Sequence, residues 1–578
     1  MFMSKDQKLS SLTVTEVDAT KHAENDSVGF PEDLGHHVQW MPDLNLLTNR
    51  ETTDLCINEY PYSTNPDDFF ADLEFMFMAR ITETLRILSE QQLKPSQPHL
   101  QKYVDWMIHQ QLLLDKDQLR FASEPLKSRL VDLDYLQDVE DRLMNLNKRG
   151  YFYVTVARNL LKFLAGEMES STIFEGNMLK DFYSEEVHES HALRQCGKYL
   201  DLLSHLNPRM KILEASAEVG FMAEVMLRTL GNTENSNPKY AQWDFTDKPG
   251  TSFAGAQDRF HHEAERMQFR HLDIEQDPEK QGFECATYDM VVSSMVVYAT
   301  SDIEAVLRNA RKLLKPGGKL ILYEMMGPSV RSTFTLGLFE RFWISSVADS
   351  KPGPCFDERQ WNELLVRAGF SGLDIILPDF DASIAHECSL LVSTAAEESP
   401  AAYPVQEIEI VYDVAESSQQ ELAKFLVEYC QSNKLAPVRS FSIQEATNHT
   451  PESPLLRIFL LELRVPILSD IPPELLQKLQ GLLSSASTVL WINQRGGILP
   501  SQPRLSPVNR LSRVLMEHCK RRLHLLSLEL RSRLDTKQRD HITRLIRFLL
   551  SPAASNANLE HIEQDGVLNT PRLIASAH

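Results

Sequence analysis

From about residue 186 to residue 395 short apolar runs alternate with stretches of helical periodicity, and the same alternation returns after residue 405. A short run that is apolar throughout has no polar face to offer water, so it is buried on both sides. Helices lying between such runs are what cover a mostly parallel sheet. The spacing predicts strands over 211–214, 241–246, 268–272, 288–293, 319–324, 373–377 and 388–393. In the second block "EIEIVYDV", "LLRIFLLEL", "TVLWIN" and "LHLLSLEL" read as strands, while "QQELAKFLVEYCQ", "ELLQKLQGLL" and "KQRDHITRLIRFLL" read as helices. Upstream, "LEFMFMARITETLRIL", "YVDWMIHQQLLL" and "VEDRLMNLNKRG" place apolar residues at helical spacing with few β-branched runs. They predict a helical layer able to cap a neighbouring pocket.

At 578 residues the chain exceeds one ordinary core. The expected division is 1–71, a strand-bearing segment and linker; 72–185, a helical lid; 186–395, the first α/β domain; 396–404, a linker around "EESPAAYP"; and 405–578, the second α/β domain. The formal charge of -22, with no dense Lys/Arg cluster, argues against nucleic acid as a partner. "MFMSKDQKLSS" lacks the apolar core of a signal peptide, and no stretch approaches the roughly 20 apolar residues of a membrane span, so a cytoplasmic protein without a membrane partner is expected. The seven cysteines never form a C-x-x-C pair, which argues against disulfides and structural zinc.

"NMLKDFY" (177–183), "KILEASAEVGF" (211–221), "WDFTDKP" (243–249), "FRHLDIEQDPEKQGF" (269–283), "YDMVVSSMVVYAT" (288–300), "LLKPGGKLILYE" (313–324) and "RAGFSGLD" (367–374) occur in order over some two hundred residues. Together they resemble the C-methyltransferase region of fungal highly reducing polyketide synthases, a class I S-adenosylmethionine-dependent methyltransferase. "HVQWMPDLNLL" resembles the strand closing the dehydratase of such synthases and "PHLQKYVDWM" the helical segment after it. "TVLWINQRGG" and "LEHIEQDGVLNTPRL" look like the structural, non-catalytic half of the ketoreductase. The resemblance implies an α/β architecture: a helical lid, a class I methyltransferase Rossmann-like sheet, then a second, truncated Rossmann-like domain. It implies methylation of the α-carbon of a β-ketoacyl thioester, with S-adenosylmethionine as cofactor and an acyl carrier protein or polyketide synthase domains as partners.

The same resemblance assigns roles residue by residue. Glu214, Ser216, Glu218 and Gly220 form the turn after the first strand, where the family carries glycines at the positions of Ser216, Glu218 and Gly220. A carboxylate at Glu218 would stand near that of the cofactor, and two like charges about 4 Å apart cost roughly 1 to 4 kcal/mol depending on screening. Asp247 matches the acceptor for the ribose hydroxyls, and Asp273 with Ile274 the adenine end. Tyr298 occupies the position of the family's catalytic histidine, and Glu324 matches the acid that orients it. Tyr183, Arg331 and Trp343 lie where the family lines the acyl channel.

With two turn glycines and the histidine replaced, the expected activity is weak or lost. The alternatives are an inactive scaffold piece of a polyketide synthase and a small-molecule O- or N-methyltransferase. His261 or His262 offers another base. "HESH" (188–191) is one residue short of a zinc-protease helix, and "NQRGGI" (493–498) lacks the G-x-G-x-x-G of a dinucleotide site, so neither a metal nor NADPH is expected.

Overall fold

The computed structural model describes residues 36–62, 68–116, 118, 127–174, 178, 181–182, 185, 189–217, 220–231, 237–296, 300–327, 329–343, 355–380, 386–396, 405–446, 453–464, 467–469, 471–494, 524–531, 534–551, 554, 560–564 and 566–575. It opens with β1 (His36–Pro42) and α1 (Asn49–Glu59). The helical layer follows as α2 (Asp68–Glu90), α3 (Pro98–Asp115), α4 (Leu133–Leu146), α5 (Lys148–Arg158) and α6 (Leu160–Ala165). Next come α7 (His191–Leu206), β2 (Met210–Glu214), α8 (Phe221–Leu230), β3 (Tyr240–Asp247), α9 (Ala254–Arg259), β4 (Met267–His271), β5 (Tyr288–Ser294), α10 (Ile303–Leu313), β6 (Leu314–Met325), α11 (Val330–Leu336), α12 (Glu358–Arg367), β7 (Ile375–Pro378) and β8 (Cys388–Thr394). The last block is β9 (Glu407–Tyr412), α13 (Ser417–Ser432), β10 (Val438–Ser442), β11 (Leu455–Glu462), α14 (Pro473–Ser485), β12 (Thr488–Gln494), β13 (His524–Leu530), α15 (Thr536–Leu550), β14 (Glu560–Gln564) and β15 (Val567–Ala575).

Two compact units result. In the one that spans Thr48 to Glu398, seven strands lie in the order β4-β3-β2-β5-β6-β8-β7. All pairings are parallel except the two made by β8. The chain runs outward from β2 to β4, returns, and continues from β5 on the other side of β2, so the strand order reverses between β2 and β5. In open α/β sheets the crevice at such a reversal is where ligands bind. Helix α2 carries a nearly continuous buried run, Leu73 to Ala79, because it sits inside the helical layer rather than on its surface. Glu140 on α4 is fully buried and joins α2 to α5: the Nε–H of Arg80 donates to it at 2.6 Å and that of Arg158 at 2.7 Å. The Tyr103 hydroxyl on α3 donates to the carbonyl of Phe334 at 2.8 Å, which fixes α11 beneath the layer.

The other unit joins β1 to everything after Ser399, with strands in the order β1-β15-β14-β13-β12-β11-β9-β10. Both faces of this sheet are covered. Ile408, Ile410, Leu456, Ile458, Leu490 and Ile492 pack against α13 and α15, while the alternate positions Val411, Phe459, Val489 and Trp491 pack against α14. Two charged residues share that second face, Glu409 and Arg457, and the Arg457 Nε–H donates to the carboxylate at 2.7 Å. Burial would raise the Glu409 pKa, yet the guanidiniums of Arg457 and Arg439 hold it below the ordinary range.

Residues 1–71 were expected to form one segment. Within it, β1 pairs antiparallel with β15, His36 opposite Ala575 and Pro42 opposite Asn569, so it belongs to the sheet of the C-terminal block. The physical reason is the unpaired edge of β15, which an extended apolar segment can complete. Strands β10, β14 and β15 were not among the predicted ones, since their sequences, such as "VRSFS" and "EHIEQ", lack a clear apolar run.

The Asp43 carboxylate hydrogen-bonds the His561 imidazole at 3.0 Å, and both side chains are fully buried in that unit. Asp43→Ala leaves the imidazole without an acceptor and is expected to cost about 1–3 kcal/mol. Chemical denaturation read by the tryptophan fluorescence of this unit should show the loss; an unchanged midpoint would contradict the role given to the pair.

Candidate functional site

Strand β2 ends at Glu214 and its neighbours hold the turn that follows. The N–H of Ala215 donates to Val292 at 2.8 Å and that of Ala217 to Thr246 at 3.0 Å, so the backbone here is clamped between β5 and β3. Ser216 has φ +54° and Gly220 φ +75°. Both lie in the left-handed region, which costs a side-chain-bearing residue roughly 1–2 kcal/mol, so the turn keeps a glycine-type shape with a serine in one place. At Gly220 a Cβ would meet Phe260 at 2.7 Å and Phe245 at 3.0 Å. This glycine is therefore required by aromatic packing as well as by φ. Glu218 lies outside the described residues.

Glu214 itself turns inward. Its carboxyl accepts from the N–H of Ala223 at 3.2 Å and from the indole N–H of Trp243 at 3.2 Å. Burial pushes its pKa up to about 8, against the pull of those two donors. Its contacts are with the first turn of α8 and with β3, and it is not in the cavity wall described below.

The three residues assigned to the adenosine end sit at the last residue of β3 and just past β4. Asp247 is buried and accepts from the N–H of Lys248 at 2.7 Å, while its carbonyl receives the N–H of Leu272 at 2.8 Å. Asp273 is half-buried and bracketed by Gln281, whose amide oxygen accepts the Asp273 N–H at 2.8 Å and whose amide donates to the Asp273 carbonyl at 2.9 Å. Ile274 is a core residue beside Phe283 and Val306. An ion pair at 3.0 Å between Lys248 and Glu275 crosses from one loop to the other, and the Ser301 hydroxyl donates to Glu275 at 2.6 Å.

At the ends of β5 and β6, Glu324 is buried and its carboxylate accepts the backbone N–H of Val296. Met295, at φ +52°, donates its N–H to the Tyr323 carbonyl at 2.9 Å. Glu324 thus shapes the chain leaving β5. Tyr298, expected to face it, lies outside the described residues, as does Tyr183.

A cavity of about 130 Å³ opens between the helical layer and these strand ends. Ser216, Ala217, Ser294, Met295, Tyr323 and Met325 form its floor. Its helical wall is aromatic, from Phe69, Phe70, Phe152, Tyr153 and Phe182. One part is polar: Arg149, Arg331, Ser332, Asp379 and Glu387. Arg331 is fully buried, pairs with Glu387 at 3.3 Å, and lies 4.6 Å from the ring centre of Phe70. Glu74 of α2 is buried close by; burial raises its pKa to about 7, with the Arg331 charge opposing. Trp343 is buried too, but its indole N–H donates to the Gly337 carbonyl at 2.8 Å and it is absent from the lining. Of the described residues assigned from sequence, then, Ser216 and Arg331 line the cavity; Glu214, Gly220, Asp247, Asp273, Ile274, Glu324 and Trp343 do not.

His261 and His262 are exposed near the end of α9 and likewise do not line the cavity. Between β7 and β8 stands a pair that sequence reasoning missed: the Nδ1 of His386 lies 2.7 Å from the Asp379 carboxylate, which also accepts the N–H groups of Phe380 and Cys388 at 2.9 Å. Nothing in "PDFDASIAHECS" singles that pair out.

The residues present are compatible with a nucleoside-bearing methyl donor in two respects. The turn after β2 keeps left-handed geometry at two positions and exposes the small residues Ser216 and Ala217 to the cavity. Carboxylates also stand at the ends of two adjacent strands, Asp247 as the last residue of β3 and Asp273 two residues past β4.

Residues 188–375 match the family model of a methyltransferase domain. A highly reducing polyketide synthase of Pyricularia oryzae is 30% identical over 491 residues, 83% of this chain and 17% of that protein. Compactin diketide synthase of Penicillium citrinum is 27% identical over 545 residues, 93% of this chain and 21% of that one. The chain spans about a fifth of the length of these relatives. Among solved structures, the trans-methyltransferase CalH in complex with SAH aligns at a TM-score of 0.50 and 24% identity, covering 56% of this chain and 90% of that one, a likeness of fold. Among the described residues no helix is long and apolar enough to cross a membrane.

Glu214 and Glu74 make the stability of this unit depend on pH. Their folded pKa values, about 8 and about 7, lie above the ordinary 4.5, so the folded unit keeps protons the unfolded chain has released. Stability is therefore expected to fall as pH rises from about 4.5 to 8 and to level off above that. Urea titrations at intervals across the window test this, and Glu214→Gln should flatten the part between pH 7 and 8. A wild-type slope of opposite sign would refute the assignment.

Proposed function

Because most of the chain is similar to about a fifth of the length of fungal highly reducing polyketide synthases, and residues 188–375 match a methyltransferase domain, we propose that it is a polyketide-type C-methyltransferase unit whose turnover is slow. The substrate is a β-ketoacyl thioester on an acyl carrier protein. The cofactor is S-adenosylmethionine, which when bound supplies an electrophilic methyl group. The observation that carries this reading is the cavity: it brings the small-residue turn after β2 to the same space as an aromatic wall and a polar cluster.

Ser216 and Ala217 would stand between the cavity and the methionine part of the cofactor, whose ribose and adenine would lie beyond it at Asp247 and Asp273, neither of which lines the cavity. The aromatic wall excludes water from an acyl chain, and the polar cluster offers donors to its two carbonyl oxygens. Before the α-carbon can accept a methyl group it must lose a proton to a base. The position the family gives to histidine holds Tyr298, and a phenol of pKa about 10 is a poor acceptor at neutral pH, where imidazole at about 6.5 is well suited. Glu324 accepts the Val296 N–H through one carboxylate oxygen and so holds the backbone that leaves β5. Binding without efficient proton removal is the expected state.

One observation favours the scaffold alternative. Phe260 and Phe245 stand where a Cβ on Gly220 would go, and its φ is left-handed, so at the one position of the three where the glycine is kept its retention is explained without a ligand.

Calorimetric titration with S-adenosylmethionine separates the two. Micromolar binding with slow methylation of 3-oxobutanoyl-N-acetylcysteamine is expected, and Tyr298→His should raise the single-turnover rate by on the order of 10²-fold or more. If neither the natural chain nor Ser216→Gly/Glu218→Gly binds the cofactor, the methyl-transfer reading fails and the scaffold stands.

A further inference from the structure

The cavity has two chemically distinct parts and a limited size. Its polar part holds two guanidiniums, Arg149 and Arg331, and two carboxylates, Asp379 and Glu387, with Arg331 and Glu387 paired at 3.3 Å. Paired charges of that kind suit a neutral oxygenated group better than a free anion, whose charge would compete with the carboxylates already there. The rest of the wall is apolar. Phe152 and Phe182 lie 4.6 Å apart between ring centres, Tyr153 meets Phe182 edge-on at 5.6 Å, and behind Tyr153 stands the fully buried Phe77, itself 4.5 Å from Phe334. Rings packed two deep leave little room for the wall to retreat.

A cavity of about 150 Å³ takes one benzene ring, roughly six heavy atoms. The 130 Å³ here therefore holds about as many, which matches a 3-oxobutanoyl group up to its sulfur. Six further methylenes double that number of heavy atoms and, on the same benzene benchmark, would need about as much space again. We propose that the cavity is a length gauge: it admits β-ketoacyl groups of about four or five carbons and refuses those of about ten, with Phe152 and Phe182 setting the limit. The inference rests on the β-ketoacyl reading given above, and it places methyl transfer after an early condensation, before the chain has been extended repeatedly.

Length dependence of binding tests the gauge without requiring turnover. On an open apolar surface each added methylene strengthens binding about fourfold, so affinity that falls with length is diagnostic. The probes are the N-acetylcysteamine thioesters of 3-oxobutanoate and 3-oxodecanoate, titrated into the full chain. The shorter is expected to bind at least tenfold more tightly. Phe182→Ala should strengthen binding of the longer probe at least tenfold, and Phe152→Leu, a milder change in a more buried place, should shift it in the same direction; unfolding midpoints near the natural one show that each variant is folded. Equal or tighter binding of the longer probe to the natural chain overturns the gauge while leaving the β-ketoacyl reading intact, and so does a length preference that neither variant alters. If neither probe binds, the β-ketoacyl reading fails and the gauge with it.

Discussion

A parallel sheet has no face to spare for water, and the rest of the unit that spans Thr48 to Glu398 follows from that constraint. Each parallel pairing obliges the chain to cross back over one face before the next strand can start, so the loops that follow the strands gather at a single end. The turn past Glu214, the segment past Ser294 and the end of β6 at Met325 meet there for this reason, although they come from separate stretches of sequence. The helical layer then closes over that end with aromatic residues, since a crevice floored by Ser216, Ala217 and Met295 offers it a partly apolar surface.

Apolar runs were enough to locate strands whose two faces are both buried. The run expected over 288–293 is Tyr288–Ser294, and "TVLWIN" lies within Thr488–Gln494. Strands that bury less left no such trace: β10 exposes Arg439 and Ser440 at the edge of its sheet. The pairing of β1 with β15 was beyond reach of local pattern, because register between distant segments depends on which edge remains open after everything else has folded. The candidate site was legible to the same degree. Ser216 and Arg331 could be placed through their neighbours in sequence, whereas the Asp379–His386 pair joins residues on either side of a stretch whose residue types suggest only a loop. Glu214 shows the opposite failure: an acidic residue beside a ligand turn suggests a ligand contact, but a carboxyl at a strand end can equally be drawn to an indole N–H and a helix N-terminus.

Polar groups inside the helical layer determine how it seats on the sheet. Glu140 between Arg80 and Arg158 fixes helices to one another. Arg331 with Glu387, near Glu74, links α11 and the turn before β8 to α2. Apolar packing alone would tolerate small slips of α2 along its neighbours, whereas a buried guanidinium held by carboxylates from two elements is satisfied in few arrangements. The cavity owes its definite shape to these contacts as much as to its aromatic rings.

Pairing His36 with Ala575 also sets an order of events during synthesis. At about 5–20 residues per second, β1 leaves the ribosome on the order of 30 to 100 s before its partner strand is made. During that interval the intervening unit has time to fold, while β1 remains an extended segment with unmatched backbone groups. A chaperone that shields such segments, or a neighbouring chain at the same stage of translation, would compete for it until the last strand arrives.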